Sequence, residues 1–305
     1  MLWSAGAYLN SPTDETWFTP GVLKPVIGTY HMGPTTVRAQ LKQMVQAGQR
    51  KIALMIWYDT LPPGTGVNGV FGHVVHNNNG ALVPQHQANL KNVLADIACQ
   101  GYNEVQLRFA GQGKADPGGW TAWDEGIYQA NWNLVYSVTA LALEALQDTG
   151  VDLWIDIAVE LGGLEGGQNP AYVKRIWQDF TFVYGTSFTY GASFAAAPGR
   201  LTKAIAIYDE TGARPPAYAF DMYTGANTLM DAVAAELAAA GDSAKPIFIQ
   251  ECYYNDDQEN AELRSKAIEH GLTLHTIMQW PLARGAVQAH FSVDFAEIYD
   301  NYLVP

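Results

Sequence analysis

The feature that most constrains what this chain can fold into is an alternation that runs along most of its 305 residues. Short runs rich in β-branched and aromatic residues are followed, again and again, by amphipathic stretches of helical period. The strand candidates are Val26–His31, Lys51–Trp57, Glu104–Ala110, Asp152–Glu160, Ser187–Phe194, Ala217–Tyr223, Pro246–Glu251 and Leu274–Trp280. Helical candidates lie between or after them, at Thr36–Ala47, His86–Gln100, Asn131–Thr149, Ala171–Phe182, Arg200–Thr211, Thr228–Ala240 and Asn260–His270. Gly48, Gly101, Gly150, Gly212, Gly241 and Gly271 stand where a left-handed residue ends a helix.

Eight strands alternating with helices predict a parallel sheet closed into a single (β/α)8 TIM barrel with long strand-top loops. A doubly wound open sheet is the competing arrangement. It calls for a glycine-rich phosphate turn after the first strand, and His31-Met32-Gly33-Pro34 is not one. There is no linker or shift in composition, so 1–305 reads as one catalytic-size domain, with 1–21 as an N-terminal extension packing on the barrel.

Strand parity indicates which side chains enter the barrel. In 152–160, Leu153, Ile155, Ile157 and Val159 are aliphatic and suit the face under the helices, which leaves Trp154, Asp156, Ala158 and Glu160 inside. By the same rule Gln106, Arg108 and Ala110 face in from the third strand, and Ala219, Asp221 and Tyr223 from the sixth. Buried polar groups need partners, and Arg108 with Asp156 on neighbouring strands are natural ones, whether their ion pair is structural or functional.

Barrel enzymes carry their reacting groups at the C-terminal ends of strands. Here those ends offer His31, the run Trp57-Tyr58-Asp59, Arg108, Glu160, Asp221 with Tyr223, Glu251, and Gln279-Trp280. Two glutamates finish apolar strands, in Asp-Ile-Ala-Val-Glu160 and Ile-Phe-Ile-Gln-Glu251. Glutamate is a poor strand former and costly to bury, so this placement asks for a chemical reason.

With glutamates after the fourth and seventh strands, the sequence resembles clan A of the retaining glycoside hydrolases. The resemblance covers the whole chain as architecture and a few residues as motif. It implies Glu160 as general acid/base and Glu251 as nucleophile. It further implies Tyr223 as a contact to the nucleophile, Trp280 as the aromatic floor of the reacting subsite, and Arg108 as the cation steadying the nucleophile. One position departs from the pattern: the Asn that many members carry before the acid/base is Val159 here. A retaining mechanism needs the two carboxyls in opposite states, and mutual repulsion of close carboxylates keeps one of them protonated.

The strand-top loops supply binding groups. Trp120 and Trp123 lie in a Gly- and Asp-rich loop after the third strand, Asp59 opens the loop after the second, and Tyr253 begins the loop after the seventh. Aromatic faces beside short polar side chains suit sugars, whose C–H faces are ringed by hydroxyls; Trp120, Trp123 and Trp132 serve equally well as loop anchors. The expected substrate-binding set is thus Trp57, Asp59, Arg108, Trp120, Trp123, Asp221, Tyr223, Tyr253 and Trp280.

Charge and composition remove other classes. Thirty acidic against seventeen basic residues give −13, the wrong sign for a nucleic-acid surface and unfavourable to polyanionic glycans. No apolar run is long enough to span a bilayer. Cys99 and Cys252 are too few for a disulfide framework. His73 and His76 lack carboxylate framing for a metal, Lys51 and Lys245 fall at strand starts rather than where a Schiff base would form, and Ala283-Arg284-Gly285-Ala286 is a weak phosphate signal. No cofactor and no metal are called for. The expectation is therefore a monomeric retaining glycosidase, endo-acting on a neutral or weakly cationic polysaccharide. It is expected to be periplasmic or secreted, with the cytoplasm not excluded. The alternatives are a non-catalytic carbohydrate-binding barrel and a metal-dependent isomerase or lyase barrel.

Overall fold

The computed structural model describes residues 4–8, 26–46, 48–59, 75–76, 80–253 and 256–280. Its strands are β1 (Ser4–Tyr8), β2 (Lys51–Asp59), β3 (Val75–His76), β4 (Glu104–Gly111), β5 (Asp152–Asp156), β6 (Phe194–Ala195), β7 (Tyr218–Asp221), β8 (Ile247–Tyr253) and β9 (Leu274–Trp280). Its helices are α1 (Val26–Thr29), α2 (Pro34–Gln46), α3 (Pro84–Gln100), α4 (Glu125–Leu146), α5 (Asn169–Tyr184), α6 (Arg200–Thr211), α7 (Ala226–Ala240) and α8 (Asp257–Glu269).

Eight strands follow one another in the order β5-β4-β2-β1-β9-β8-β7-β6, and the short β3 pairs with the end of β2. Every pairing between named strands is parallel. Between β5 and β6 the ring closes through residues 187–193: Ile155 N–H donates to Phe188 O at 2.9 Å and Ile157 N–H to Gly191 O at 3.1 Å. The architecture is a (β/α)8 barrel. Helices end where glycine permits a left-handed turn; Gly101 (φ 88°) closes α3 and Gly212 (φ 80°) closes α6.

Strand parity holds where the strands are regular. Val105, Leu107, Phe109, Leu153 and Ile155 lie in the apolar layer between strands and helices. Trp154, Ala219 and Phe248 instead fill the barrel interior with Tyr190. At the barrel's base Glu104 accepts from Gln106 Nε2 (2.7 Å), bonds His275 Nε2 (2.5 Å) and pairs with Lys51 (3.3 Å).

Three expected elements differ. Val26–His31 is helical, not the first strand. Val26, Ile27 and Tyr30 are buried together, a helical spacing that the β-branched pair disguised. His31 accordingly sits on an exposed helical turn, 2.9 Å from Asn89 Nδ2, and not at a strand end. The first strand is Ser4–Tyr8, inside the segment read as an extension. It pairs with both β2 and β9, and its small residues gave no strand signal. Ser187–Phe194 is not one strand: Thr189 bridges to β5 and only Phe194–Ala195 pairs with β7, with Gly191 (φ 73°) breaking the run between them. No helix among the described residues is long and apolar enough to cross a membrane.

Candidate active site

The upper barrel is organised around one buried cation. Arg108, from the middle of β4, has no exposed side-chain surface and faces three carboxylates. Its Nε donates to Asp156 at 3.1 Å, its Nη1 to Glu251 at 2.7 Å, and its Nη2 to both oxygens of Asp221 at 2.8 and 2.9 Å. A guanidinium is the one side chain able to serve three acceptors from a fixed planar fork. Burial lifts the carboxyls of Asp156 and Asp221 above their ordinary range, and Arg108 opposes that shift in both. In Asp221, the charges of Glu251 and Glu160 add to the rise.

Glu251 reaches this cage through a backbone irregularity. Phe220 pairs with Ile249, yet the next pair is Asp221 with Glu251, so β8 carries one residue more than β7 at this step. Gln250 and Glu251 therefore both point inward. Gln250 Nε2 donates to Gln106 Oε1 at 3.2 Å and to the Tyr190 hydroxyl, while Glu251 meets Arg108. Cys252 turns back into the outer layer, its thiol donating to Met278 O at 3.2 Å. Strict alternation would have left Glu251 on the face of Ile247 and Ile249, under the helices. The other oxygen of Glu251 accepts from the Tyr223 hydroxyl, which stands just past β7. Burial and the neighbouring Glu251 charge push the Tyr223 phenol far above its ordinary value, so it stays protonated and donates.

Glu160 lies beyond β5, which ends at Asp156; residues 157–160 form a turn rather than the expected continuation of the strand. Glu160 has φ 59°, a left-handed conformation that costs a non-glycine residue on the order of 1–2 kcal/mol. Its carboxyl is raised above the ordinary glutamate range, first by burial and then by the charge of Glu251, with Arg108 and Arg200 pulling the other way. One carboxyl is thus predisposed to keep its proton beside another held by Arg108 and Tyr223.

Both glutamates open into a pocket of about 370 Å³ at the strand tops. Trp57 and Tyr58 of β2, residues 109–112 and 116–118, Leu161 with Leu164, Asn169 and Tyr172 form its walls, and Tyr223 stands beside Glu251. Of the expected binding residues, Trp57 and Tyr223 line this pocket. Arg108 and Asp221 lie beneath it, and Tyr253 packs on Tyr223 with ring centroids 5.0 Å apart. Asp59 is buried at the end of β2 against Gly113, and Trp280 ends β9 beside Tyr253, its side chain lying outside the described residues.

Trp120 and Trp123 lie apart from the pocket. Trp120 donates from Nε1 to Lys114 O at 2.8 Å and packs edge-on against Trp123 and Tyr172. Trp123 donates to Glu125 at 2.7 Å and rests on Tyr128. The pair holds the loop after β4 to the helices beneath. His73, Arg284 and the stretch 60–74 lie outside the described residues.

Three groups at this site gave no sequence signal. Ser193 Oγ accepts from Glu160 N–H at 2.9 Å, Arg200 donates to Glu160 O at 2.7 Å, and Asn169 places a buried Oδ1 at the pocket wall with no hydrogen-bond partner among the described residues. Each is common in loops and at helix starts, so only the fold reveals its neighbours.

No protein-family model matches the sequence, and no curated protein matches it. Solved structures do. An exo-β-1,4-mannosidase from Opitutaceae bacterium strain TAV5 matches over 99% of this chain and 55% of its own, with 11% identity and a TM-score of 0.57. A trimodular endoglucanase of the GH5_4 subfamily matches over 98% of this chain and 60% of its own, with 11% identity and a TM-score of 0.62. An endocellulase from Pyrococcus horikoshii matches over 99% and 91%, with 13% identity and a TM-score of 0.56. The chain has the barrel fold of these glycoside hydrolases. It spans 55% and 60% of the length of the first two. At 11–13% identity the likeness is one of fold.

Proposed function

We propose that the chain is a retaining glycoside hydrolase, with Glu251 as nucleophile and Glu160 as general acid/base, cutting internally in a neutral or weakly cationic polysaccharide. One observation carries the reading. Two carboxyls open into one strand-top pocket in opposite electrostatic settings, Glu251 bonded to Arg108 and Tyr223, and Glu160 half-buried with a raised pKa. The fold shared with glycoside hydrolases supports the same class.

In the first step a Glu251 oxygen attacks the anomeric carbon, the glycosidic C–O bond breaks, and Glu160 delivers its proton to the leaving oxygen. With its proton gone, Glu160 takes one from a water. That water displaces Glu251 from the anomeric carbon and Glu160 is reprotonated. Arg108 and Tyr223 orient Glu251 and take up the charge that returns to it when the glycosyl bond breaks. Trp57, at the pocket wall, offers a face to sugar C–H groups. The net charge of −13 favours uncharged or cationic glycans. Internal cleavage rests on the long loop after β4, which lines the pocket with Gly111, Gln112 and Asp116 to Gly118.

The test is hydrolysis of a panel of β-glucans, β-mannans and aminated glycans, with the anomer of the first product read by proton NMR. Retention is expected, together with a mixture of internal fragments. Glu251→Gln and Glu160→Gln should each lose several orders of magnitude in kcat while still binding the glycan. An inverted first product refutes the double displacement. Binding without turnover in the unaltered protein favours a carbohydrate-binding barrel instead.

A further inference from the structure

The turn that carries Glu160 is stapled to the opposite side of the β5–β6 junction by four hydrogen bonds. Glu160 N–H donates to Ser193 Oγ at 2.9 Å, and Gly162 N–H donates to Ser193 O at 2.8 Å. Arg200 closes the other side, Nη2 donating to Glu160 O at 2.7 Å and Nε to Gly162 O at 3.0 Å. The two ends of the Glu160 peptide unit are thereby held from different elements. Leu161 also bridges Phe194, and a side chain at Gly163 would strike the Arg200 backbone.

Arg200 stands at the first position of α6, where a cation opposes the helix dipole. Its guanidinium turns from that helix to two loop carbonyls. A planar fork holds two carbonyls two residues apart in one fixed geometry, which an ammonium on a flexible stem imposes less tightly. Left-handed geometry at Glu160 (φ 59°) persists only where its surroundings fix it, and these contacts are what surrounds it.

We infer that Ser193 and Arg200 are positioning residues for Glu160, clamping its strained backbone so that the carboxyl meets the leaving-group oxygen. Neither side chain touches the reacting atoms: both hold the peptide of the acid, Arg200 adding a charge that lowers the Glu160 carboxyl and Ser193 Oγ also accepting from Arg108 Nη2 at 3.4 Å. The inference rests on the hydrolase reading above and deepens it.

Its test is the dependence of kcat/KM on the leaving group, since kcat/KM covers only the steps up to first bond cleavage. Matched 2,4-dinitrophenyl and 4-methylumbelliferyl β-glycosides of cellobiose and mannobiose serve as probes. Dinitrophenolate leaves without protonation, whereas the poorer leaving group needs the acid. Arg200→Ala and Ser193→Ala should each lose roughly 10- to 100-fold on the methylumbelliferyl glycoside and no more than about 3-fold on the dinitrophenyl one, part of the 10²–10⁴-fold that a positioned acid provides. Arg200→Lys, which keeps the charge and loses the fork, should fall between Arg200→Ala and the unaltered protein, and it remains informative should Arg200→Ala not fold. Equal losses on both probes overturn the clamp, because a nucleophile or stability defect does not sort leaving groups. Glu160→Ala separates the two levels. If it shows no leaving-group dependence, the hydrolase assignment fails; if it shows the dependence while the Ser193 and Arg200 variants do not, only the clamp fails.

Discussion

Replacing Arg108 with Met removes the cation that, among the described residues, the three upper-barrel carboxylates Asp156, Asp221 and Glu251 share. Four charge-assisted contacts to carboxylate oxygens disappear, at 3.1, 2.7, 2.8 and 2.9 Å, with a longer one to Ser193 Oγ at 3.4 Å, and a side chain of similar length with no donor takes their place. Breaking a buried ion pair from one side costs about 3–5 kcal/mol, because the remaining charge is left without compensation. Protonation limits the damage here. Asp156 and Asp221 already lie above the ordinary aspartate range because burial outweighs Arg108, and without Arg108 they rise further. The folded variant then binds more protons than its unfolded chain between the unfolded and folded pKa values. Its stability therefore falls as pH rises through the folded values and recovers as pH drops. The expected loss at pH 8 is about 3–5 kcal/mol, or roughly 5–8 °C in melting midpoint, shrinking toward pH 5. Urea unfolding followed by tryptophan fluorescence at both pH values measures it. A loss below about 1 kcal/mol, or the same loss at both, would refute the idea that Arg108 neutralises this cage.

Tyr223→Phe removes one of the two donors that Glu251 has among the described residues, without leaving a charge buried. It should lower kcat by roughly 10- to 100-fold, the worth of one hydrogen bond to a charged group, with little change in melting midpoint; unchanged kcat would remove Tyr223 from the machinery. Glu251→Gln takes away a like charge that raises Glu160, so the Glu160 carboxyl should titrate at lower pH in this variant, as followed by difference infrared spectroscopy. A midpoint that stays or rises would mean the two carboxyls do not sense one another. Trp120→Ala should destabilise the protein by about 3–5 kcal/mol and leave glycan affinity nearly unchanged, since the indole is buried in its loop and does not line the pocket. Isothermal titration with a cello- or manno-oligosaccharide against denaturant melts separates the two, and a large loss of affinity at full stability would return Trp120 to the binding site.

What the sequence disclosed and what it hid divide along a physical line. Alternation in β4, β5 and β7 put Arg108, Asp156 and Asp221 inside the barrel, because a regular strand turns each second side chain to the same face. The glutamates were visible because burying a carboxylate at the end of an apolar strand is costly. The first strand was hidden because Ser-Ala-Gly-Ala-Tyr carries no β-branched residue, and its place in the sheet comes from pairing with β2 and β9. Trp120 and Trp123 looked like sugar platforms because loop aromatics are ambiguous. Only packing shows that their indoles are bonded to Lys114 O and Glu125. Ser193 and Arg200 lie 33 and 40 residues from Glu160, on separate elements, so no local pattern could join them to it.

Both carboxyls reach the pocket by departing from regular backbone. Glu251 turns inward because β8 holds an extra residue opposite β7, and Glu160 is displayed on a left-handed turn beyond the end of β5. A strand that kept its period would have placed one glutamate beneath the helices. A turn in ordinary conformation would have aimed the other elsewhere. Irregular backbone is unfavourable on its own, and each departure is held by bonds from other elements: Arg108 and Tyr223 for Glu251, Ser193 and Arg200 for Glu160. At these two places the departure from regular backbone carries a carboxyl into the pocket, and the stability of the regular strands is what makes that bending tolerable.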